Sequence, residues 1–151
     1  RRQRAARIGG HEALGGVDLV VSAVTASQTA AAAQAAAPGL KRGAFFLDFN
    51  SASPGAKIRA AAIVNAAGGR YVEGAVMTSI PPYRIKVPLL LGGPDATALL
   101  PLLGELGFAA KVASEKLGVA NLVVVDRVRP ACPPPRAWSP SCRGWRRARR
   151  A

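Results

Sequence analysis

The sequence predicts an α/β fold built on a doubly wound, mostly parallel sheet. Short apolar runs of strand length alternate with longer helix-forming segments between residues 17 and 112. Strands that alternate with helices in this way are joined by right-handed crossovers, which make the strands parallel. The apolar runs show little alternation with polar residues, as is typical of strands covered on both faces. These observations indicate half of a doubly wound domain.

Five strands and three helices are predicted in turn. Valine and leucine dominate the first strand, and alanine dominates the first helix, in agreement with the propensities of these residues. Pro-Gly and Gly-Gly pairs end the first two helices. Two consecutive prolines predict an irregular loop over residues 77–82. The predicted strands are residues 17–24, 44–49, 70–76, 87–91 and 108–112, and the predicted helices are residues 28–37, 53–67 and 95–106.

The two ends of the chain differ from its middle in composition. We expect residues 1–16 to be a basic loop or the remnant of an element, residues 17–120 to be globular, and residues 121–151 to be a disordered tail rich in proline and arginine. Residues 121–128 are apolar enough for one more strand, but prolines exclude a regular helix from residues 130–140. The prediction is one partial domain with two unlike ends.

The positive charge of the chain also lies at its ends. The formal net charge is +13, of which the first seven residues carry +4 and residues 121–151 carry +7. The globular part is therefore nearly neutral, and its aromatic residues do not interleave with basic ones as a base-stacking surface requires. This distribution argues against a specific nucleic-acid function.

Metal, membrane and secretory functions have no better support. Cys132 and Cys142 both lie in the tail, and without a second pair they do not form a zinc site. No apolar run approaches the length of a membrane span, and Asp18 interrupts the early segment that could imitate a signal peptide. We expect a cytoplasmic protein with no metal site and no membrane contact.

Residues 44–54 join the second strand to the second helix, and they contain the polar residues of most interest. Ser53 can cap the free N–H groups of the helix, and the proline after it suits the first turn. Open parallel sheets bind ligands at such junctions, where Asn50 and Ser51 could reach a ligand. On local sequence alone, the alternative that Asp48, Asn50 and Ser53 only make turn and cap hydrogen bonds has equal support.

Four segments, in order and spacing, resemble the β-hydroxyacid dehydrogenase family, which includes 3-hydroxyisobutyrate dehydrogenase and 6-phosphogluconate dehydrogenase. The second segment resembles the family's Asp-x-Ser-Thr-x-x-Pro element, with Asn50-Ser51 in place of Ser-Thr. The third is similar to the segment that holds the substrate carboxylate in family members. The resemblance implies the second half of a Rossmann-like NAD(P)-binding domain over residues 17–120. The four segments are residues 17–25, 48–54, 69–77 and 89–94.

The resemblance also implies an activity and a site. NAD or NADP would exchange a hydride with the carbinol carbon of a small hydroxyacid. Met77 and Thr78 replace a serine and a glycine of the family, so the pocket wall would be bulkier. The implied cofactor-binding residues are Val24, Thr25, Asn50 and Ser51, and the implied substrate-binding residues are Ser51, Met77, Thr78 and Ser79.

Two features of the family are absent from the sequence. There is no Gly-x-Gly-x-x-Gly turn, which lets a dinucleotide pyrophosphate approach the backbone. The position of the catalytic lysine, counted from the glycine that matches Gly118, holds Val124, and Lys116 is expected to be a solvated surface residue. Loss of a positioned proton-transfer group costs about a hundredfold or more in rate. We therefore expect this chain alone to be inactive.

These departures favour an internal fragment of a dehydrogenase, with the residues after about Ala120 translated in a shifted frame. The other frames of the coding DNA should then encode the missing lysine and a helical domain. A fragment would leave its first strand with an unpaired edge, so we expect self-association, which sedimentation would detect. The alternative from another class is a non-catalytic binding module built on the half sheet, which a titration with NADPH would distinguish.

Overall fold

The computed structural model describes Leu14, residues 16–78 and residues 80–119. No helix in this part of the chain is long and apolar enough to cross a bilayer. The strands are β1 (Leu19–Ser22), β2 (Phe45–Asp48), β3 (Arg70–Val76), β4 (Pro88–Gly92) and β5 (Ala109–Ser114). The helices are α1 (Thr29–Ala36), α2 (Pro54–Ala66), α3 (Ile80–Tyr83) and α4 (Ala96–Glu105).

The five strands form one sheet whose spatial order follows the sequence, β1-β2-β3-β4-β5. Strands β3 and β4 pair in antiparallel orientation, and the other three pairs are parallel. The antiparallel pair follows from the short connection over residues 77–87, whose described part contains only short helical turns. A parallel crossover needs roughly a dozen residues or more, usually with a full helix. The predicted α/β fold with a mostly parallel sheet is confirmed.

Helices cover both faces of this sheet. On one face, Val20, Phe46 and Tyr71 pack against the alanine-rich helices α1 and α2. On the other face, Leu47 packs with the buried leucines of α4. Neighbouring residues of a strand point to opposite faces, which is why Phe46 and Leu47 enter different clusters. Leu14 is buried in the first cluster, although it precedes the predicted start of the globular part.

Some predicted boundaries differ from the structure. Strand β1 is shorter than the predicted residues 17–24, and β5 extends further than predicted, to Ser114. The irregular loop predicted over residues 77–82 is wrong in its second half, where α3 begins at Ile80. The two prolines occupy the first turn of that helix, where an N–H donor would lack a helical partner in any case. The strand predicted at residues 121–128 and the tail after it lie outside the described residues.

Candidate functional site

A row of buried polar side chains crosses the first three strands. Ser22, Asp48 and Glu73 are paired in register across β1, β2 and β3, and all three are buried. Each of them lies two positions after a residue that packs against α1 and α2, namely Val20, Phe46 or Tyr71. Because side chains two positions apart share a face, the polar row lies on the face covered by those helices. It marks the carboxyl ends of β1 and β2.

Helix α2 adds a lysine to this row. The helix follows Ser53, whose Oγ accepts a hydrogen bond from the N–H of Ala56 at 3.3 Å, as an N-cap does. Its buried positions are Lys57, Ala60, Ala61 and Val64. This spacing is the inward stripe of an amphipathic helix, so the Lys57 side chain points towards the sheet, where it is fully buried.

Asp48 is the centre of the cluster. Its Oδ2 accepts a hydrogen bond from the Tyr71 hydroxyl at 2.5 Å and lies 3.6 Å from Lys57 Nζ. Its Oδ1 accepts a hydrogen bond from the Asn50 N–H at 2.8 Å, and its main-chain oxygen accepts one from Lys57 Nζ at 3.3 Å. Every oxygen of Asp48 therefore has a partner within the protein, as burial of a carboxylate requires.

Burial shifts the pKa of both side chains that surround this carboxylate. Desolvation lowers the pKa of Lys57 from its ordinary value, while the charges of Asp48 and Glu73 act in the opposite direction. Desolvation also raises the pKa of Tyr71, and the charge of Asp48 raises it further because a phenolate would lie beside a carboxylate. Tyr71 is therefore a neutral hydrogen-bond donor throughout the neutral pH range.

Asn50 connects the turns that follow β1 and β2. Its Oδ1 accepts a hydrogen bond from the Val24 N–H at 2.6 Å, and its Nδ2 donates to Ser22 Oγ at 3.1 Å. The side chain is buried, and both of its polar ends are engaged. The turn and cap hydrogen bonds that the sequence left as an alternative are thus present, and the contact of Asn50 with a ligand stays a prediction.

The remaining predicted site residues within the described chain share one edge of the sheet. Because β1, β2 and β3 are parallel, the segments that follow them emerge at the same edge. Met77 is half-buried and Thr78 is exposed after β3. The exposed residues after β1 and β2 are Val24, Thr25 and Ser51.

The last described segment of the chain returns to the polar row. Glu73 Oε2 accepts a hydrogen bond from the Gly118 N–H at 2.7 Å. Gly118 has a φ of 81°, a region that favours glycine. A Cβ on it would lie 3.0 Å from the Cβ of Pro54. Gly118 therefore packs closely against the start of α2.

Two of the predicted positions, Ser79 and Val124, lie outside the described residues. Lys116, predicted to be a surface residue, is exposed, which confirms that prediction. Its main-chain N–H donates to Ser114 Oγ at 3.0 Å. Within the part of the chain that the structure describes, no group of three or more His, Cys, Asp and Glu side chains is arranged to hold a metal ion.

Sequence reasoning overlooked Lys57 and the contributions of Tyr71 and Glu73. One signal was that Lys57 interrupts the stripe of alanines on α2, where an apolar residue is expected. A second signal was a pattern repeated in the first three strands, in which an apolar residue is followed two positions later by a polar residue. The pattern ends β1 and β2 and lies inside β3. The three segments are Val20-Val21-Ser22, Phe46-Leu47-Asp48 and Tyr71-Val72-Glu73.

Several solved structures are similar to this chain. A conserved hypothetical protein from Sinorhizobium meliloti 1021 is 36% identical with a TM-score of 0.75, over 80% of this chain and 40% of that one. The 3-hydroxyisobutyrate dehydrogenase of Mycobacterium tuberculosis, solved with L-serine, is 15% identical with a TM-score of 0.68, over 78% and 41%. A variant imine reductase from Myxococcus stipitatus, in complex with NAD+, is 21% identical with a TM-score of 0.65, over 78% and 42%. No protein-family model and no curated protein matches the sequence.

The chain has a β-hydroxyacid dehydrogenase-like fold. Its structural neighbours include a 3-hydroxyisobutyrate dehydrogenase and an imine reductase, each of which matches 78% of its length. The resemblance inferred from four sequence segments and the Rossmann-like sheet that it implied are confirmed. The chain itself spans 40–42% of the length of the three similar structures.

Proposed function

We propose that this chain is part of an NAD(P)-dependent oxidoreductase that transfers a hydride between nicotinamide and a small hydroxyacid. The observation that carries the proposal is the edge where β1, β2 and β3 end. There the side chain of Asn50 forms hydrogen bonds with Val24 and Ser22 and so connects the turns after β1 and β2. Val24, Thr25 and Ser51 are exposed at this edge. Ligands of open α/β sheets bind outside the carboxyl ends of parallel strands. The likeness to an imine reductase solved with NAD+ supports a nicotinamide dinucleotide as that ligand.

Each predicted residue has a role in this proposal. Helix α2 begins shortly after Ser51, and the positive end of its dipole favours an anionic group at that place. We propose that the exposed side chains lie near the nicotinamide, whereas the buried Asn50 shapes the turn that carries them. The proposed cofactor-binding residues are therefore Val24, Thr25 and Ser51 by contact and Asn50 by support, and the proposed substrate contacts are Ser51, Met77, Thr78 and Ser79.

Binding of NADPH and NADH tests the proposal. In a fluorescence titration, we expect at least one of them to bind saturably with a dissociation constant below about 1 mM, which corresponds to a binding free energy of roughly −4 kcal/mol. The Ser51→Ala variant should bind about fivefold more weakly, because a hydrogen bond contributes on the order of 1 kcal/mol. The dissociation constants of the two proteins are the measurement.

Thr97→Ala is the matched control for that titration. Thr97 is also exposed, but it lies on α4, which follows the strand that runs opposite to β3. Its removal should leave the affinity within about twofold of the wild type, the usual range for a surface substitution. If neither NADPH nor NADH saturates the wild-type chain up to about 1 mM, cofactor binding has to be withdrawn.

We expect this chain alone to have no measurable hydride-transfer activity. The family's lysine position holds Val124, Lys116 is exposed on the surface, and Lys57 is fully buried. Without a proton-transfer group, the rate should fall by about a hundredfold or more. The absorbance of NADPH measures turnover, as its consumption with oxo acids and as its formation from NADP+ with small hydroxyacids. A steady rate above the protein-free background in either assay would contradict this expectation.

The second candidate is a non-catalytic binding module on the same half sheet. It is favoured by the absence from the sequence of a Gly-x-Gly-x-x-Gly turn, without which a pyrophosphate lacks its usual backbone contact. Such a module would show no nicotinamide affinity in the titration described above. Self-association and a cytoplasmic location stay predictions from the sequence.

A further inference from the structure

Two buried carboxylates hold two different segments at the edge of the sheet. Asp48 Oδ1 accepts a hydrogen bond from the Asn50 N–H at 2.8 Å, and Asn50 in turn accepts one from the Val24 N–H at 2.6 Å. Glu73 Oε2 accepts a hydrogen bond from the Gly118 N–H at 2.7 Å. One carboxylate thus fixes the turns after β1 and β2, and the other fixes the segment after β5.

These two carboxylates are neighbours. Asp48 and Glu73 are paired in register on adjacent strands, on the same face of the sheet, and both have no exposed surface. Like charges directly opposite each other destabilise a strand pair, and in a buried site solvent does not screen them. A cation next to Asp48, on the face of the sheet that Glu73 shares, reduces this repulsion.

Lys57 is that cation. Its Nζ lies 3.6 Å from Asp48 Oδ2 and donates to the main-chain oxygen of Asp48. Among the lysines and arginines that the structure describes, Lys57 alone is buried. The charges of Asp48 and Glu73 both favour its protonated form and oppose the lowering of its pKa by burial.

The two segments also meet at the start of α2. Gly118 lies against Pro54, with only 3.0 Å between the Pro54 Cβ and the position that a Cβ on Gly118 would take. Ser51 lies in the turn that leads into Pro54. A small displacement of either segment therefore changes the shape of the edge where the cofactor is proposed to bind.

We propose that Lys57 is a positioning residue. Through Asp48 it holds the two turns that contain Val24 and Asn50, and through Glu73 it holds the segment that contains Gly118. Together these contacts set the shape of the edge where the cofactor is proposed to bind. The effect of Lys57 on cofactor binding rests on the proposed function. The positioning of the two segments by Lys57 does not rest on it, because the hydrogen bonds involved exist without any ligand.

Amide hydrogen exchange measured by NMR on the full chain tests the positioning directly. Lys57→Met removes the charge and keeps most of the length of the side chain. Relative to the amides of α4, those of Val24, Asn50 and Gly118 should exchange at least about tenfold faster in this variant, the factor expected for loss of a charge-assisted hydrogen bond. If all amides accelerate by the same factor, Lys57 contributes only general stability and the proposal is overturned.

Lys41→Met is the matched control. Lys41 pairs with Asp18 at 2.7 Å, but both side chains are more than half exposed. Its replacement should leave the exchange of Val24, Asn50 and Gly118 within about twofold of the wild type. Larger changes at those three amides would show that they respond to any loss of positive charge, which contradicts a specific role of Lys57.

A charge-compensated variant keeps the proposal testable if Lys57→Met does not fold. In Lys57→Met/Asp48→Asn, the amide oxygen at position 48 can still accept the Asn50 N–H, while Glu73 no longer has the Lys57 charge beside it. We expect the Val24 and Asn50 amides to keep their protection relative to α4, and the Gly118 amide to exchange at least about tenfold faster. Equal behaviour of the three amides would overturn the proposal.

NADPH titration of the same variants separates this proposal from the proposed function. If the wild type binds NADPH, Lys57→Met should weaken binding about tenfold or more, and Lys41→Met should change it less than about twofold. An unchanged affinity in Lys57→Met would contradict the role in shaping the edge. If the wild type binds neither NADPH nor NADH, the proposed function fails, and the exchange rates still decide whether Lys57 positions the two segments.

Discussion

Replacing Asp48 with alanine is expected to lower the free energy of unfolding by about 3–5 kcal/mol, the range for removal of one partner of a buried ion pair. The variant leaves the Lys57 ammonium buried without the carboxylate that lies 3.6 Å from it. It also leaves the Tyr71 hydroxyl and the Asn50 N–H without their acceptor. Urea unfolding followed by circular dichroism measures the effect.

Asp18→Ala is the control for this prediction. Asp18 also pairs with a lysine, Lys41, but that pair is exposed, and exposed pairs contribute between about 0 and 1 kcal/mol. The difference between the two alanine variants should therefore exceed about 2 kcal/mol. Equal losses would mean that the buried cluster contributes no more than a surface ion pair, in contradiction to its geometry.

Replacing Tyr71 with phenylalanine is expected to change how stability depends on alkaline pH. Burial, and then the charge of Asp48, raises the pKa of Tyr71 above its value of 10.0 in the unfolded chain. Above pH 10.0, Tyr71 loses its proton in the unfolded state but keeps it in the folded state. The free energy of unfolding therefore falls by up to about 1.4 kcal/mol per pH unit. The variant lacks this contribution and should show a shallower fall.

Lys57 acts in the opposite direction over part of the same range. Its pKa is lowered in the folded state, so between that pKa and 10.5 the unfolded state binds more protons and stability rises with pH. Both proteins contain Lys57, so the difference between the wild type and Tyr71→Phe reports on Tyr71. Tyr83→Phe, at an exposed tyrosine, should keep the wild-type slope. Parallel curves for wild type and Tyr71→Phe above pH 10 would contradict the prediction.

Much of the fold could be predicted from the sequence because its elements are local. Each strand is a short apolar run between polar or glycine-containing turns, and α2 carries its own signals in Ser53 and Pro54. The antiparallel pairing of β3 and β4 was not predicted. It depends on the short connection over residues 77–87. The two prolines in this connection indicated a loop, so the short helix α3 was not predicted.

The site was harder to predict because it depends on contacts between distant residues. Asn50 was singled out for its place after a strand, but its hydrogen bonds go to Ser22, at the end of the neighbouring strand β1, and to Val24, in the turn after it. Lys57 was overlooked because a lysine on a helix is usually exposed. Only the register that places Asp48 beside Glu73 shows why a lysine is buried there.

The most direct test of the proposed cofactor edge is an NMR titration of the isotope-labelled full chain with NADPH and, separately, with NADH. With at least one of them we expect saturable shifts of the amide signals of Val24, Thr25 and Ser51, with the signals of α4 unchanged. Shifts confined to α4, or no shifts at the ends of β1 and β2 with either cofactor at concentrations up to about 1 mM, would contradict the proposed cofactor edge.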